Sequence, residues 1–87
     1  MVSRKITVKN ASGLHARPAG ELAKLCSRCK SDIVIIAGEK RVNPKSILIL
    51  MSAAIRCGTE ITVECSGETE EEDLEAILAA IDGGLGE

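Results

Sequence analysis

The chemistry of this chain centres on its single histidine, His15, which lies in the polar and glycine-containing segment 10–19. An amphipathic pattern that predicts a helix begins one residue later, at Ala16, and extends to about Cys29. The first turn of a helix presents unpaired backbone N–H groups and the positive end of the helix dipole, which together bind anions. Arg17 adds a planar cation suited to phosphate oxygens. A nucleophilic imidazole in this setting predicts a site that holds a phosphoryl group covalently.

Neighbouring residues favour this hypothesis over a simpler one. Ser12 and Gly13 supply turn chemistry before the predicted helix, and Pro18 falls in its first turn, where a missing N–H costs little. The alternative is that His15 is only a polar residue in a turn, because helix starts are common. The turn glycine, the arginine and the early proline together shift the balance toward a functional site.

Length and composition limit the class of protein. A chain of 87 residues supports one hydrophobic core, so residues 1–87 are expected to form a single domain. The net charge of −2 and the absence of aromatic residues argue against nucleic-acid binding. No apolar run approaches the roughly 20 residues of a membrane span, and the first residues lack the apolar stretch of a signal peptide. We therefore expect a cytoplasmic protein that does not insert into a membrane.

The four cysteines do not match a metal or redox motif well. Cys26 and Cys29 have C-x-x-C spacing, but they lie at the end of the predicted helix, where the dipole disfavours a thiolate. Cys57 and Cys65 are too far apart for the second pair of a zinc site. We expect reduced thiols partly in the core, with no metal and no cofactor. A thiol redox module is the alternative.

Hydrophobic periodicity predicts the element order β-α-β-β-α-β-α. Packing the helices on one face of an antiparallel sheet gives a two-layer α+β sandwich. The predicted strands cover residues 2–9, 32–37, 40–43 and 60–66, and the predicted helices cover about 16–29, about 47–53 and a last segment that starts after Thr69 and stops at Gly83.

The second predicted helix is unusually apolar throughout residues 47–51. Ser46 precedes it and is expected to cap its N-terminus. A helix of two turns buries only one face, and we expect Ile49 and Leu50 to occupy that face. The remaining apolar residues are expected to form an exposed docking patch, because exposed apolar clusters usually mark interaction sites. This patch consists of Ile47, Leu48 and Met51.

The last predicted helix opens with a cluster of carboxylates. Thr69 and Glu72 have the spacing of a capping box, and acidic side chains stabilise the positive end of a helix. An acidic partner surface over residues 68–75 is the alternative, but stabilisation of the helix start explains the cluster without a partner.

Two segments resemble the HPr family, the histidine phosphocarriers of the bacterial sugar phosphotransferase system. Residues 13–19, GLHARPA, are similar to the active-site signature of that family, and residues 42–47, VNPKSI, with Met51 are similar to its regulatory-serine region. The resemblance covers essentially the whole chain. It implies an open-faced β-sandwich in which a four-stranded sheet of order 1-4-2-3 carries three helices on one face.

The resemblance also implies a function. His15 would accept a phosphoryl group on Nδ1 from phosphorylated enzyme I and pass it to the A domain of a sugar-specific enzyme II. Ser12, Ala16 and Arg17 would bind the phosphate. Such a protein is a carrier that needs both partners rather than an enzyme, and we expect a monomer. The residues expected to contact the partners are Gly20, Lys24, Ile47, Leu48 and Met51.

Ser46 resembles the serine that an ATP-dependent HPr kinase/phosphorylase modifies. A phosphate there would weaken enzyme I docking and create a surface for a catabolite-control transcriptional regulator. Three alternatives stand beside this reading. Ser46 can be a plain helix cap; the chain can be a regulatory protein like the Crh relatives, which lack the histidine and use only the serine; or it can be a nitrogen-branch paralogue.

Overall fold

The computed structural model describes residues 1–86, in which four strands form one antiparallel sheet and three helices accompany it. The strand order is β1-β4-β2-β3, which confirms the predicted α+β fold and its topology. The first strand ends two residues earlier than its alternating pattern predicted, and the other elements match their predicted ranges closely. In chain order the elements are β1 (Val2–Thr7), α1 (Ala16–Arg28), β2 (Asp32–Ala37), β3 (Lys40–Val42), α2 (Ile47–Ser52), β4 (Glu60–Ser66) and α3 (Glu70–Asp82).

Strand β4 lies inside the sheet, between β1 and β2, and its alternation is the cleanest in the chain. Ile61, Val63 and Cys65 all point into the core, as predicted, while the residues between them are more exposed. The strand pairs with β1 on one side, where Ile6 faces Ile61, and with β2 on the other, where Ile35 faces Val63. Strand β4, the last in sequence, therefore lies between β1 and β2 and is hydrogen-bonded to both.

The core contains no aromatic side chain and is filled by aliphatic residues from all three helices. The buried residues of α1 and α3 recur at steps of three and four, so each helix turns one apolar face to the core, as predicted. Helix α3 ends, as predicted, at Gly83, and Gly84 then adopts a left-handed φ of 89°. The N–H of Leu85 donates to the carbonyl of Ala80 at 3.1 Å, which completes a Schellman motif.

The predicted capping box at the start of α3 is wrong. Thr69 stands at the N-cap, but its hydroxyl makes no capping bond and instead donates to Asp73 Oδ2 at 2.8 Å. The same carboxylate oxygen accepts from the hydroxyl of Ser31 at 2.5 Å and from its backbone N–H at 3.1 Å. The carboxylate of Asp73 thus joins α3 to the residue that precedes β2, and it also accepts the Thr69 hydroxyl that was expected to cap the helix.

The burial predicted for Ile49 is also wrong. Its side chain is 43% exposed, whereas Leu50 is fully buried as predicted. Leu50 and Ala53 lie three positions apart and share the face of α2 that meets the core. Ile49 is rotated away from that face, so it joins the exposed side of a helix too short to bury more.

We expect Asp73 to make stability depend on pH. The hydrogen bond from the Ser31 hydroxyl, followed by that from Thr69, lowers the pKa of the Asp73 carboxyl below its ordinary value. Its stabilisation is therefore complete above the ordinary carboxyl pKa, about 3.9, and is lost as the pH falls through the lowered value. Asp73→Asn should reduce the free energy of unfolding at pH 7 by roughly 1 kcal/mol, measured by urea denaturation.

The loss of stability in Asp73→Asn should be smaller when urea denaturation is repeated near pH 2. At that pH the Asp73 carboxyl of the parent and the amide that replaces it in the variant are both neutral. Asp32→Asn, which changes an exposed carboxylate on β2, serves as the control and should alter stability little at either pH. An equal deficit for Asp73→Asn at both pH values would contradict this account of the carboxylate.

Candidate functional site

His15 stands at the N-cap of α1, as the sequence pattern predicted. Its backbone is extended, with φ −78° and ψ −168°, and its carbonyl accepts the first helical hydrogen bond, from Ala19 N–H, at 2.9 Å. The imidazole does not cap the helix, and the residue is exposed. The ring therefore lies at the surface where the helix begins, within reach of a large partner.

The loop before His15 is held against the turn that follows α2. Leu14 N–H donates to the carbonyl of Ile55 at 2.9 Å, and Gly13 N–H donates to the carbonyl of Asn10 at 2.9 Å. Gly13 has a φ of +67°, and a Cβ placed there would overlap the Ile55 carbonyl oxygen and lie 2.7 Å from Arg56 Cα. Glycine is required here on both grounds, since any side chain would push the loop away from its support.

The first turn of α1 leaves two backbone donors without an intrahelical partner. Ala16 and Arg17 occupy the first two helical positions, Pro18 has no N–H, and Ala19 N–H is already bonded to His15. The Arg17 side chain is exposed, and no carboxylate among residues 1–86 pairs with it. Two amides and the positive end of a helix dipole lie where the histidine enters the helix, and an exposed arginine follows two residues later, an arrangement that attracts an anion.

A shallow, open depression of about 270 Å³ adjoins His15. It brings together two predicted residues, Ser12 from the loop and Met51 from α2, with the histidine. It also contains Arg56, which the sequence analysis missed because nothing in its local pattern distinguishes an arginine in the turn before β4. The depression is lined by Ser12, Leu14, His15, Met51, Ala54, Ile55 and Arg56.

The remaining predicted contact residues lie outside this depression. Gly20 is partly exposed on α1, and a Cβ added there would meet no other atom within 4 Å. Lys24 is exposed further along α1, beside Glu21 and Arg28. The apolar residues of α2 are exposed as predicted, with Ile49 in addition. The exposed fractions are 45% for Ile47, 80% for Leu48, 43% for Ile49 and 42% for Met51.

Ser46 caps α2, as predicted. Its hydroxyl oxygen accepts a hydrogen bond from Ile49 N–H at 3.3 Å, and its backbone carbonyl accepts from Leu50 N–H at 3.0 Å. The residue is half-buried and lies outside the His15 depression. It stands immediately before the exposed apolar residues of α2.

Ala54 adopts a strained conformation at the edge of the depression. Its φ is +53°, in the left-handed region that residues with a side chain rarely enter. Its N–H donates to the carbonyl of Met51 at 3.2 Å, which ends α2 and turns the chain toward Ile55. The turn that supports the His15 loop is therefore reached through an unfavourable backbone conformation.

The cysteines lie partly in the core, as predicted. All four are free, Cys26 and Cys65 are buried, Cys29 is half-buried, and Cys57 is exposed. Burial raises the pKa of Cys26 to about 12 and that of Cys65 to about 11. Burial, and then the nearby Asp73 carboxylate, also raises the pKa of Cys29. A C-x-x-C pair held in the thiol form is a poor nucleophile, which weighs against the redox interpretation.

Within residues 1–86, no group of three or more His, Cys, Asp or Glu side chains is arranged to hold a metal ion. The helices of that same portion of the chain include none with the length and hydrophobicity needed to span a membrane.

Comparison with known proteins assigns the family. Residues 2–82 match the family described as PTS HPr component phosphorylation site. The chain belongs to the HPr family. Its curated relatives include phosphocarrier protein HPr of Mycoplasma capricolum, 51% identical over 65 residues that cover 75% of this chain and 73% of the relative. They also include HPr-like protein Crh of Bacillus subtilis, 42% identical over 93% of this chain and 95% of the relative.

Solved HPr structures share the fold. The structure of HPr-C-His from Thermoanaerobacter tengcongensis superposes with a TM-score of 0.95 at 36% identity, covering 100% of this chain and 98% of that one. A second structure, of an HPr dimer from the same organism, has a TM-score of 0.79 at 36% identity and covers 100% of both chains. The expectation of a monomer is therefore not supported, because HPr-family chains with this fold also occur as dimers.

The thiols give a direct test of the placement of the cysteines. Iodoacetamide at pH 8 should modify Cys57 first, with Cys26 and Cys65 at least about tenfold slower, because alkylation requires an accessible thiolate. The order of modification is read by peptide mass after timed quenching, and a sample unfolded in urea shows the reactivity of all four without burial. Modification of Cys26 and Cys29 as fast as Cys57 in the folded protein would restore the redox interpretation.

Proposed function

We propose that this chain is a phosphocarrier that takes a phosphoryl group on His15 from phosphorylated enzyme I and passes it to the A domain of a sugar-specific enzyme II. The observation that carries the proposal is the exposed histidine at the N-cap of α1, followed by the first two amides of the helix, those of Ala16 and Arg17, and by the exposed Arg17 side chain. Membership of the HPr family supports the same reaction.

In the first transfer, a ring nitrogen of neutral His15, Nδ1, attacks the phosphorus held by the donor. The new N–P bond forms as the bond between phosphorus and the donor atom breaks, and the electron pair of that bond returns to the donor. The N–H groups of Ala16 and Arg17 and the Arg17 side chain then bind the phosphoryl oxygens, assisted by Ser12. The second transfer is the same displacement with the enzyme II domain as acceptor.

An open site suits a carrier better than an enclosed one. Donor and acceptor states must lie close in free energy, since a phosphate bound too tightly would not be released to the next protein. Surface amides and an exposed guanidinium give modest stabilisation, because water screens them. The partners supply the remaining groups for the transfer, so the carrier acts without being an enzyme by itself.

The exposed face of α2 provides the docking surface in this proposal. Met51 lies on the same depression as His15, so a partner that covers the α2 patch also covers the imidazole. Apolar side chains that remain 40% or more exposed gain most when a partner removes them from water. In this proposal Ile47, Leu48 and Met51 form the contact, Ile49 extends it, and Gly20 and Lys24 of α1 also contact the partner.

We propose that Ser46 is a regulatory phosphorylation site for an HPr kinase/phosphorylase. Its phosphate would carry about −1.5 to −2 charges at the start of α2, where the helix dipole stabilises an anion. The same charge would lie directly beside the apolar docking residues and oppose their burial against enzyme I. The modified surface would instead bind a catabolite-control transcriptional regulator.

A regulatory role without phosphocarrier activity is the second candidate. It is favoured by the similarity to Crh, which is comparable in identity to that of the phosphocarrier relatives. His15 distinguishes the two, because a protein that works only through the serine needs no imidazole. We also propose that residues 1–87 act as a single domain in the cytoplasm, where both sets of partners would be found.

The carrier function predicts labelling at one side chain. With phosphoenolpyruvate and enzyme I, the protein should gain one phosphate that is stable in base and lost in acid, because a phosphorus–nitrogen bond is acid-labile. His15→Ala should abolish the gain, which is measured by intact mass, while Ser46→Ala should retain it. Equal labelling of the His15→Ala protein would contradict the assignment, and circular dichroism confirms that both variants are folded at the assay temperature.

The regulatory proposal predicts a second, acid-stable phosphate. Incubation with ATP and HPr kinase/phosphorylase should modify the parent protein but not Ser46→Ala, as read by peptide mass. Ser52→Ala is the matched control, because Ser52 is an exposed serine on the same helix whose hydroxyl donates to the Ile49 carbonyl at 2.8 Å. Ser46→Ala should also cost about 1 kcal/mol of stability through the lost cap. Retention of the phosphate in Ser46→Ala would place the modification elsewhere.

A further inference from the structure

Arg56 belongs to the wall of the depression that contains His15. The two residues come from distant parts of the chain, and the packing of the Gly13 loop on the turn after α2 brings them together. Arg56 Cα lies so close to Gly13 that a Cβ on the glycine would come within 2.7 Å of it. The base of the arginine side chain is thus fixed against the loop that carries the histidine.

The backbone around Arg56 is anchored on both sides. The carbonyl of Ile55 accepts from Leu14 N–H at 2.9 Å, and the carbonyl of Arg56 accepts from Thr59 N–H at 3.1 Å. These bonds define where the side chain starts, and its three-carbon stem and guanidinium extend from there along an exposed surface.

The guanidinium of Arg56 has no competing anion in the described part of the chain, residues 1–86, where no carboxylate lies within ion-pair distance of it. Arg41 is a useful contrast, because its guanidinium is held by Glu64 at 3.1 Å. An arginine that has no ion-pair partner within residues 1–86 and lies on the wall of the depression that contains His15 is available to an anion that arrives there.

We propose that Arg56 is a second phosphate-binding guanidinium of the His15 site. Arg17 and the amides approach the phosphoryl group from the start of α1, and Arg56 approaches it from the turn after α2. Two guanidinium groups on different elements attract an anionic phosphoryl donor to the imidazole and stabilise the phosphorylated product. The inference rests on the proposed function of His15, which it deepens by adding a residue to the phosphate site.

A small phosphoryl donor tests this role without enzyme I. Phosphoramidate transfers its phosphoryl group to an imidazole: the ring nitrogen attacks phosphorus, the P–N bond of phosphoramidate breaks, and ammonia leaves with the proton that its nitrogen carried. The rate of labelling at His15 is followed by ³¹P nuclear magnetic resonance for the parent, Arg56→Gln and Arg41→Gln proteins. Arg41→Gln is the matched control, because it removes an exposed arginine from β3.

Arg56→Gln should slow the labelling about three- to tenfold at low ionic strength, as expected for one charged contact to a partly exposed phosphate. The difference in labelling rate between Arg56→Gln and the parent should become smaller at high salt, because salt screens an electrostatic effect but would not repair a structural defect. Arg56→Lys, which keeps the charge but not the forked geometry, should fall between the parent and Arg56→Gln. Arg41→Gln should match the parent throughout.

Equal labelling rates for Arg56→Gln and Arg41→Gln would overturn the role of Arg56. A difference in rate between these two variants that stays the same at high salt would also overturn it. Failure of phosphoramidate to label His15 in the parent protein would overturn both this role and the phosphate site itself. Labelling by phosphoramidate without labelling by enzyme I would contradict only the proposed carrier function. The circular dichroism of each variant confirms that it is folded before the rates are compared.

Discussion

The site depends on the close contact between the loop before α1 and the turn after α2. The Leu14–Ile55 hydrogen bond and the missing side chain of Gly13 let two backbone segments touch, and this contact sets where the chain enters α1. His15 is the next residue after Leu14, so its position follows from that entry. The same contact brings Met51 and Arg56 to the histidine. A single glycine therefore allows His15, the end of α2 and Arg56 to come together.

The buried core and the exposed surface residues differ in their chemistry. The core is aliphatic and its buried thiols have raised pKa values, so it is chemically inert. By contrast, His15, two arginines and four apolar side chains of α2 stay exposed. Exposed apolar residues lower the stability that a small domain can reach, and they fit the docking surface that the proposed function requires.

Much of the fold followed from the sequence because its patterns are local. The alternation in β4 and the helical stripe of α1 predicted their ranges and their buried faces, and the turn chemistry before His15 predicted the helix start. The strand order was given by resemblance to the HPr family, since periodicity alone does not determine which strands pair. The cap at Ser46 was predicted correctly because it depends only on residues next to it in the chain.

The predictions that failed, or were missed, depend on tertiary contacts that local patterns do not show. Thr69 was expected to cap its own helix, but Asp73 recruits its hydroxyl together with Ser31, which lies far away in the chain. Ile49 was assigned to the core because its neighbours are apolar, yet the orientation of a two-turn helix depends on what it packs against. Arg56 joins the site only through the fold, and no local pattern marks it.

The central claim is that the opening amides of α1 hold the phosphoryl group of His15. The most direct measurement compares backbone amide resonances of the ¹⁵N-labelled protein before and after phosphorylation. The account predicts that the amide protons of Ala16 and Arg17 shift downfield, as hydrogen bonding to a phosphate requires, while the amides of β2 and β3 stay in place. Unchanged resonances for Ala16 and Arg17 in fully phosphorylated protein would contradict it.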